Sequence, residues 1–198
     1  MRTVHAIEQE SFGILRSRAD TSGLPRWTRA VVERVVHASA DLDYVEDLVI
    51  DEQALAAGAQ ALAAGAPVVA DVEMVAAGIT SRPVVCRVRD RRTSGLAAER
   101  GVTRSAAGVH LALQDVGPGA VWVIGCAPTA LLEILAHAEH VRPSLVVGLP
   151  VGFVGAAESK AALRASGLPA VSNVSEKGGS AVAAAALNAL LYGLEDPS

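Results

Sequence analysis

The chain has 198 residues, a length that suits one domain, and 51% of them are hydrophobic, which is enough for a packed core and excludes a disordered chain. Seventeen basic residues against 21 acidic ones give a net charge of −4, and aromatic residues make up only 3%. A nucleic-acid-binding protein needs a basic surface, and aromatic side chains where it stacks single-stranded bases. We therefore expect no nucleic-acid partner.

The sequence contains no predicted export or membrane segment. Residues 1–8 have no apolar signal core, and the two longest uncharged stretches, 116–132 and 178–194, are interrupted by glycine, proline or asparagine. Two cysteines, Cys86 and Cys126, are too few for a disulfide framework, so reduced thiols are expected. These features predict a cytoplasmic protein with no membrane partner.

Residues 1–64 are predicted to form a helical N-terminal part. Hydrophobic side chains recur at helical spacing over 6–19 and again over 27–38, and a turn at 20–25 separates the two segments. Residues 41–50 are acidic and of mixed character. The alanine-rich segment 51–64 is predicted to be a further helix, which ends at Gly65.

Residues 65–198 are predicted to form an α/β core, because short apolar runs alternate with helical segments. The runs are 67–70, 84–86, 120–124, 145–147 and the weaker 170–172; the helical segments are 73–77, 103–114, 129–140, 156–166 and 180–191. Continuous apolar runs are typical of strands that are buried on both faces. The chain is therefore predicted to be a single domain with an open, doubly wound, mainly parallel sheet of about five strands and N-terminal helices.

His37 is a candidate for a chemical role because it lies at the predicted carboxyl-terminal end of the second helix. The negative end of the helix dipole favours an imidazolium there, and Glu33, one turn earlier, is expected to act in the same sense. Arg34 shares this helix face and would hold an anionic ligand beside the imidazole. Such a histidine suits general acid–base catalysis, but a histidine that only caps its helix has the same pattern.

Basic residues are concentrated between Arg82 and Arg104, where seven basic residues and two acidic ones give a local charge of +5. The middle of this segment, 91–95, is predicted to be a mobile loop. It is either simply solvated or a guanidinium-rich lid for a ligand with several carboxylates or phosphates, which arginine binds through two parallel hydrogen bonds.

Residues 125–129 form a predicted strand-to-helix turn, which is either an ordinary tight turn or an anion site made by free backbone N–H groups and Thr129 at the start of a helix. The same position would lower the pKa of the Cys126 thiol, although no base is adjacent in sequence. The glycine-rich loops 148–155 and 175–180 lack the spacing of dinucleotide and P-loop sites. His137 and His140 are too few to bind a metal, and no further ligand stands out.

Six short strings follow one another in a specific order over about 150 residues. They are Ile7-Glu8 with Ser11-Phe12, VVHASAD (35–41), DVEMVAAGI (71–79), TRSAAG (103–108), APTAL (127–131) and GLPVGFVGAAESK (148–160). Their order and spacing resemble those of the precorrin-8X methylmutase family of cobalamin biosynthesis. The family commonly has asparagine where this chain has Cys126, which removes an amide from the turn but leaves the helix start intact.

The resemblance implies an isomerase that moves a methyl group from ring carbon 11 to ring carbon 12 of precorrin-8X or cobalt-precorrin-8, giving hydrogenobyrinic acid or cobyrinic acid. It also implies a flavodoxin-like fold, a homodimer, no cofactor and no metal of the protein's own, and a catalytic histidine at His37. A [1,5]-sigmatropic shift of this kind needs one protonated tautomer of the macrocycle, which an imidazolium at a ring nitrogen would favour.

The acetate and propionate arms of such a substrate need cationic and hydrogen-bonding partners. We expect these partners to be Ser11, Arg34, Thr80, Arg104 and Thr129, with Ser11 and Arg34 implied by the resemblance. A ligand this wide would overhang one sheet edge, so the segment 82–104 is expected to cross to a second subunit.

Two other classes of function remain compatible with the residues. A carrier module would bind a tetrapyrrole or another anion without converting it, and would tolerate the loss of His37. A flavodoxin-like regulatory or nucleotide-binding domain would need a phosphate loop after the first strand of the core, where residues 70–73 contain two acids instead.

Overall fold

A six-stranded sheet with helices on both faces organises residues 6–195, the part of the chain that this computed structural model describes. The strands are β1 Leu48–Ile50, β2 Val68–Ala70, β3 Val84–Cys86, β4 Val121–Ile124, β5 Leu145–Gly148 and β6 Ala170–Asn173. The helices are α1 Ala6–Arg18, α2 Arg26–Ser39, α3 Tyr44–Asp47, α4 Glu52–Ala63, α5 Glu73–Gly78, α6 Arg91–Arg100, α7 Arg104–Val116, α8 Pro128–Ala136, α9 Ala138–Val141, α10 Ala156–Ala165 and α11 Ser180–Glu195.

The strand order is β1-β6-β5-β4-β2-β3. Strands β2 to β6 are parallel, and β1 pairs with β6 in the antiparallel sense. The five parallel strands have the flavodoxin-like order, in which the direction of chain progression reverses between β2 and β4. The predicted fold class is therefore confirmed, with one strand more than expected.

Each central strand contributes side chains to two separate cores. Val121 and Val123 of β4 pack in a core with α2, α4, α5 and α11, whereas Trp122 and Ile124 pack with α7, α8 and α10 on the other face. Burial on both faces explains why these strands are continuous apolar runs. It also divides the helices into two layers, and His37, on α2, belongs to the first layer.

Several segments differ from the prediction. Residues 48–50, Leu-Val-Ile, form the edge strand β1; this apolar run is short, it follows an acidic segment, and its side chains are only partly buried. The helix predicted over 129–140 is divided into α8 and α9 at His137. Residues 91–95, predicted to be a mobile loop, belong to helix α6 instead. The Asp90 side chain caps this helix by accepting a hydrogen bond from the N–H of Arg92 at 2.9 Å, which stabilises a helix of mostly polar residues.

Neither long uncharged stretch forms a membrane span. Residues 116–132 are divided between the end of α7, β4 and the start of α8, and most of 178–194 belongs to α11. Among residues 6–195, no helix is both long and apolar enough to cross a bilayer. Residues 1–5, which belong to the segment inspected for an export signal, lie outside the described part.

Candidate active site

His37 lies in the last turn of α2 and is held by two neighbouring residues of α1. Its Nδ1 atom is 2.7 Å from Oγ of Ser11, and its ring stacks on Phe12 with the centroids 4.9 Å and the planes 17° apart. A serine hydroxyl both donates and accepts, so this hydrogen bond can form whether or not Nδ1 carries a proton. The plane of the imidazole is therefore fixed in both protonation states.

The groove beside His37 runs between α2, α5 and α11. Small residues form much of its lining: Ala38, Gly78, Ala181, Ala184 and Ala185. Arg34, Asn188 and Tyr192 complete it. Within residues 6–195, no hydrogen bond reaches Nε2 of His37, the nitrogen opposite Ser11. A lining of small side chains suits a flat ligand, and among the described residues no partner competes for Nε2 of His37.

Arg34 lies one turn before His37 and lines the same groove. Its guanidinium carbon is 5.0 Å from the ring centroids of both Phe12 and Tyr192, and its Nη1 forms an ion pair with Glu8. The two rings hold the guanidinium in position. Because a guanidinium carries five N–H donors, the ion pair with Glu8 leaves others for a carboxylate of a ligand.

Glu33 does not act on His37 as predicted. Its buried carboxylate accepts hydrogen bonds from Arg16 at 2.7 and 3.0 Å, from Thr21 at 2.5 Å and from Arg29 at 2.9 Å. Burial alone would raise the pKa of Glu33, but these donors outweigh it and lower the pKa from 4.5 to about 2. The residue instead ties α1 and the following loop to α2, which holds Ser11 opposite His37.

Asp71 occupies the anion site that was predicted at residues 125–129. Its buried carboxylate accepts hydrogen bonds from the N–H groups of Gly125, Cys126 and Ala127, at 3.1, 2.9 and 2.9 Å. These amides lie between β2 and β4, where the chain reverses direction and flavodoxin-like folds bind ligands. The prediction of free amides is therefore wrong, and an acid at this place disfavours a nucleotide phosphate.

The cysteines are not activated thiols. Partial burial and the nearby charge of Asp71 raise the pKa of Cys126, whereas the helix start was predicted to lower it. Burial is also the main reason that the pKa of Cys86 rises to about 11. Both side chains are therefore thiols at neutral pH, which disfavours a nucleophilic role.

Arg104 and Thr129 lie together at the amino-terminal ends of α7 and α8. Thr129 Oγ1 is 2.7 Å from Oγ1 of Thr103, the residue that caps α7, and Arg104 donates a hydrogen bond to the carbonyl of Val88 at 3.0 Å. Both Arg104 and Thr129 are exposed. They belong to the helix layer opposite α2, so they form a group separate from His37.

Thr80 is exposed and follows Gly78, which lines the groove beside His37. The predicted site residues thus fall into two groups. Ser11, Arg34 and His37 are in one, with Thr80 near its rim, and the helix starts of α7 and α8 form the other. No hydrogen bond between described residues joins the two groups.

The arginines of the segment 82–104 are less available than predicted. Three of them form ion pairs with acids: Arg87 with Asp115, Arg92 with Asp90, and Arg100 with Glu133. This segment therefore does not form the mobile, guanidinium-rich lid that was one of the two predictions. Arg104, at the start of α7, is the residue of this segment that belongs to the second group.

A buried lysine, which the sequence analysis did not single out, fixes the loop after β6. Nζ of Lys160 donates hydrogen bonds to Oδ1 of Asn173 at 2.8 Å and to the carbonyls of Ser175 and Lys177 at 2.5 and 2.7 Å. Burial lowers the pKa of Lys160 to about 8. The sequence feature that could have indicated this role is the position of Lys160 at the end of the string GLPVGFVGAAESK, on the face of a predicted helix that points inward.

Two glycine-rich loops pack against each other at the carboxyl edge of the sheet. A Cβ atom at Gly178 would collide with the carbonyl oxygens of Leu149 and Pro150, so the close approach requires glycine there. The loop after β5 nevertheless presents apolar side chains outward, because Phe153 is 97% exposed and Val154 is 88% exposed. Such a pair on a loop points to a partner or a ligand that covers it.

The fold and the site define a flavodoxin-like α/β protein with a groove beside His37. The position at which flavodoxin-like folds bind their ligands is occupied by the carboxylate of Asp71. The family model for precorrin-8X methylmutase matches residues 6–193. The precorrin-8X methylmutase of Pseudomonas aeruginosa is 42% identical over 96% of both chains. The cobalt-precorrin-8 methylmutase of Salmonella typhimurium is 40% identical over 96% of this chain and 95% of its own.

Among solved structures, the precorrin-8X methyl mutase of Thermus thermophilus superposes with a TM-score of 0.87 at 34% identity, covering 98% of this chain and 99% of that one. The chain belongs to the precorrin-8X methylmutase family. The resemblance found in the six strings is thereby confirmed, and it extends over almost all of the described residues.

Proposed function

We propose that this chain is the isomerase that moves a methyl group from ring carbon 11 to ring carbon 12 of precorrin-8X or cobalt-precorrin-8 in cobalamin biosynthesis. Its family, and the names of relatives that align over nearly their whole length, support this activity. One observation carries the proposal at the level of residues. His37 is held at Nδ1 by Ser11, its Nε2 has no hydrogen-bond partner among the described residues, and the residue lines a groove of small side chains.

His37 acts as the proton donor and acceptor in this proposal. The methyl shift breaks one carbon–carbon bond at ring carbon 11 and forms another at ring carbon 12, so it consumes no oxidant or reductant. An imidazolium that donates from Nε2 to a ring nitrogen favours the protonated tautomer, while Ser11 accepts a hydrogen bond from Nδ1–H. The proton returns to His37 after the shift.

The carboxylate arms of the substrate are proposed to bind at the rim of the groove. Arg34, held between two aromatic rings, is oriented for one arm by its remaining N–H donors. Ser11, on the Nδ1 side of His37, and Thr80, two residues after Gly78 of the groove, are proposed to supply hydroxyl groups. Arg104 and Thr129 supply a cation and a hydroxyl group at the second position, which a single subunit keeps separate from His37.

We also propose that the working unit is a homodimer whose active sites lie at or near the subunit interface. The separation of the two groups of residues supports this, because a second copy would bring its Arg104 group to the His37 groove. The exposed Phe153 and Val154 supply an apolar surface for the contact. The whole chain, 1–198, would act as one domain, since β1 of the N-terminal part pairs with β6.

The cytoplasm is the proposed location. Cys86 and Cys126 are free thiols, as expected for a protein in a reducing compartment.

A spectroscopic assay tests the activity. The protein is mixed with precorrin-8X and, separately, with cobalt-precorrin-8, and the visible spectrum is followed for the appearance of the corrin chromophore. We expect the wild type to form it with at least one substrate and His37→Ala to bind without forming it. Binding by the wild type with no change of chromophore would indicate the carrier module instead.

The dimer is tested by light scattering at micromolar concentration, with and without corrinoid. We expect a dimer, and we expect Phe153→Ser to weaken it. Mixing His37→Ala with Arg104→Gln should restore part of the activity if each site uses both subunits. A fully active monomer would refute the dimer, whereas a dimer whose mixed variants recover nothing would refute the shared site.

A further inference from the structure

A cluster of His110, Glu133 and His137 lies in the helix layer opposite His37. His110 is on α7, Glu133 is one turn before His137 at the end of α8, and both helices pack on the second core. The proposed function assigns no role to these residues. In the sequence, His137 and His140 alone are too few ligands for a metal. The fold adds His110 from α7, and Glu133 lies four positions before His137.

The ligand atoms of the cluster are spaced for one metal ion. Nδ1 of His110 is 2.9 Å and Nε2 of His137 is 3.2 Å from Oε1 of Glu133, and all three ligand atoms lie within 4.8 Å of one another. Zinc binds imidazole nitrogen and carboxylate oxygen at about 2.0–2.2 Å, so neighbouring ligand atoms of a tetrahedral site are about 3.3 Å apart. The two separations from Oε1 lie within about 0.5 Å of that value, and the third, between the two histidines, is no more than 4.8 Å.

We propose that His110, Glu133 and His137 form a binding site for a divalent transition-metal ion of the zinc class. Imidazole and carboxylate ligands suit such an ion, and water would complete the coordination. The histidine side chains are 24% and 37% exposed, so an ion can enter from solvent. An ion bound there joins α7 to α8 on the layer away from His37, so its effect is on stability rather than on the proton transfer.

Arg100 is the group that competes with the ion. Its Nη1 atom is 2.8 Å from Oε1 of Glu133, the same oxygen that faces both histidines. A bound ion requires Arg100 to move to the other carboxylate oxygen or into solvent. Removal of Arg100 therefore distinguishes two interpretations of the cluster. If the cluster is a metal site, the loss of Arg100 favours metal binding; if it is only a network of ion pairs, the loss removes one contact.

The test measures Zn²⁺ binding to the protein without corrinoid, after treatment with a chelator. Titration calorimetry with ZnCl₂ gives the affinity and stoichiometry, and thermal unfolding gives the stabilisation. We expect one ion per chain and a higher melting temperature with Zn²⁺. His137→Ala and Glu133→Gln should each weaken binding at least ~10-fold. His140→Ala is the matched control, since His140 is exposed, three positions away and outside the cluster.

Arg100→Gln should bind Zn²⁺ at least as tightly as the wild type. Weaker binding by this variant overturns the proposal, as does equal binding by the wild type and His137→Ala, or a wild-type melting temperature that Zn²⁺ does not raise. Because Glu133 is buried, its variant has a risk of misfolding. The partly exposed His110 and His137 then decide the outcome through His110→Ala and His137→Ala.

Discussion

Oγ of Ser11 lies 2.7 Å from Nδ1 of His37, although the two residues are 26 positions apart and belong to different helices. The geometry of the imidazole therefore depends on how α1 docks on α2. Glu33 secures this docking through Arg16 of α1, while Arg34 and His37 are one turn apart on the groove side. Glu33 therefore contributes to stability, whereas its neighbours Arg34 and His37 are proposed to contribute to activity. The variants below affect these two properties separately.

Replacement of His37 by alanine should abolish the proton transfer without unfolding the protein. The side chain is partly exposed in the last helical turn, and alanine is a good helix former. We expect turnover to fall by ~10²-fold or more, the usual contribution of acid–base catalysis, with corrinoid binding retained. Stopped-flow spectra and equilibrium binding measure the two quantities. Turnover near that of the wild type would end the assignment.

Replacement of Ser11 by alanine should have a smaller effect, because Ser11 positions His37. Loss of one hydrogen bond costs about 0.5–1.5 kcal/mol, or roughly 2- to 12-fold in turnover. Ser11→Thr keeps the hydroxyl group and should restore turnover. Wild-type turnover in Ser11→Ala would contradict the positioning role.

Neutralisation of the two proposed anchors should weaken substrate binding. For Arg34→Gln and Arg104→Gln we expect a loss of ~1.5–3 kcal/mol in binding free energy, the range for a hydrogen bond to a charged group. Arg26→Gln is a matched control, because Arg26 is at the start of the same helix as Arg34 and donates to the carbonyl of Gly193 instead. If both anchor variants keep the affinity of the wild type, the corrinoid binds elsewhere.

The Glu33 carboxylate should make stability depend on pH in acid. Its pKa is about 2 in the folded chain and about 4.5 when unfolded, so its contribution is complete above pH ~4.5 and is lost as the pH falls towards 2. Glu33→Gln should reduce the free energy of unfolding by ~1–3 kcal/mol at pH 7, and the difference from the wild type should shrink over that acid range.

Urea unfolding between pH 2 and 7 measures this difference. Glu139→Gln is the control, since Glu139 is exposed on α9 and lies outside these contacts. If the difference in unfolding free energy between wild type and Glu33→Gln stays constant from pH 7 to pH 2, the contacts do not stabilise the ionised form of the Glu33 carboxylate.

The sequence alone determined the α/β class, five of the six strands and the place of His37 at a helix end. Strands buried on both faces need apolar side chains at every position, so they are visible as runs such as 120–124. The order of six strings was enough to identify the family. These signals are local in the chain, which is why they required no knowledge of the tertiary contacts.

Only the tertiary structure decided which side chains meet. Asp71 reaches the amides of residues 125–127 because the sheet order sets β2 beside β4, and Glu33 turns towards α1 because Arg16 and Thr21 satisfy its charge there. The strand β1 forms because β6 offers it an edge, and its short run of three apolar residues beside an acidic segment was not enough to predict it. Contacts of this kind join residues distant in the chain, and their energies depend on docking geometry that local patterns do not contain.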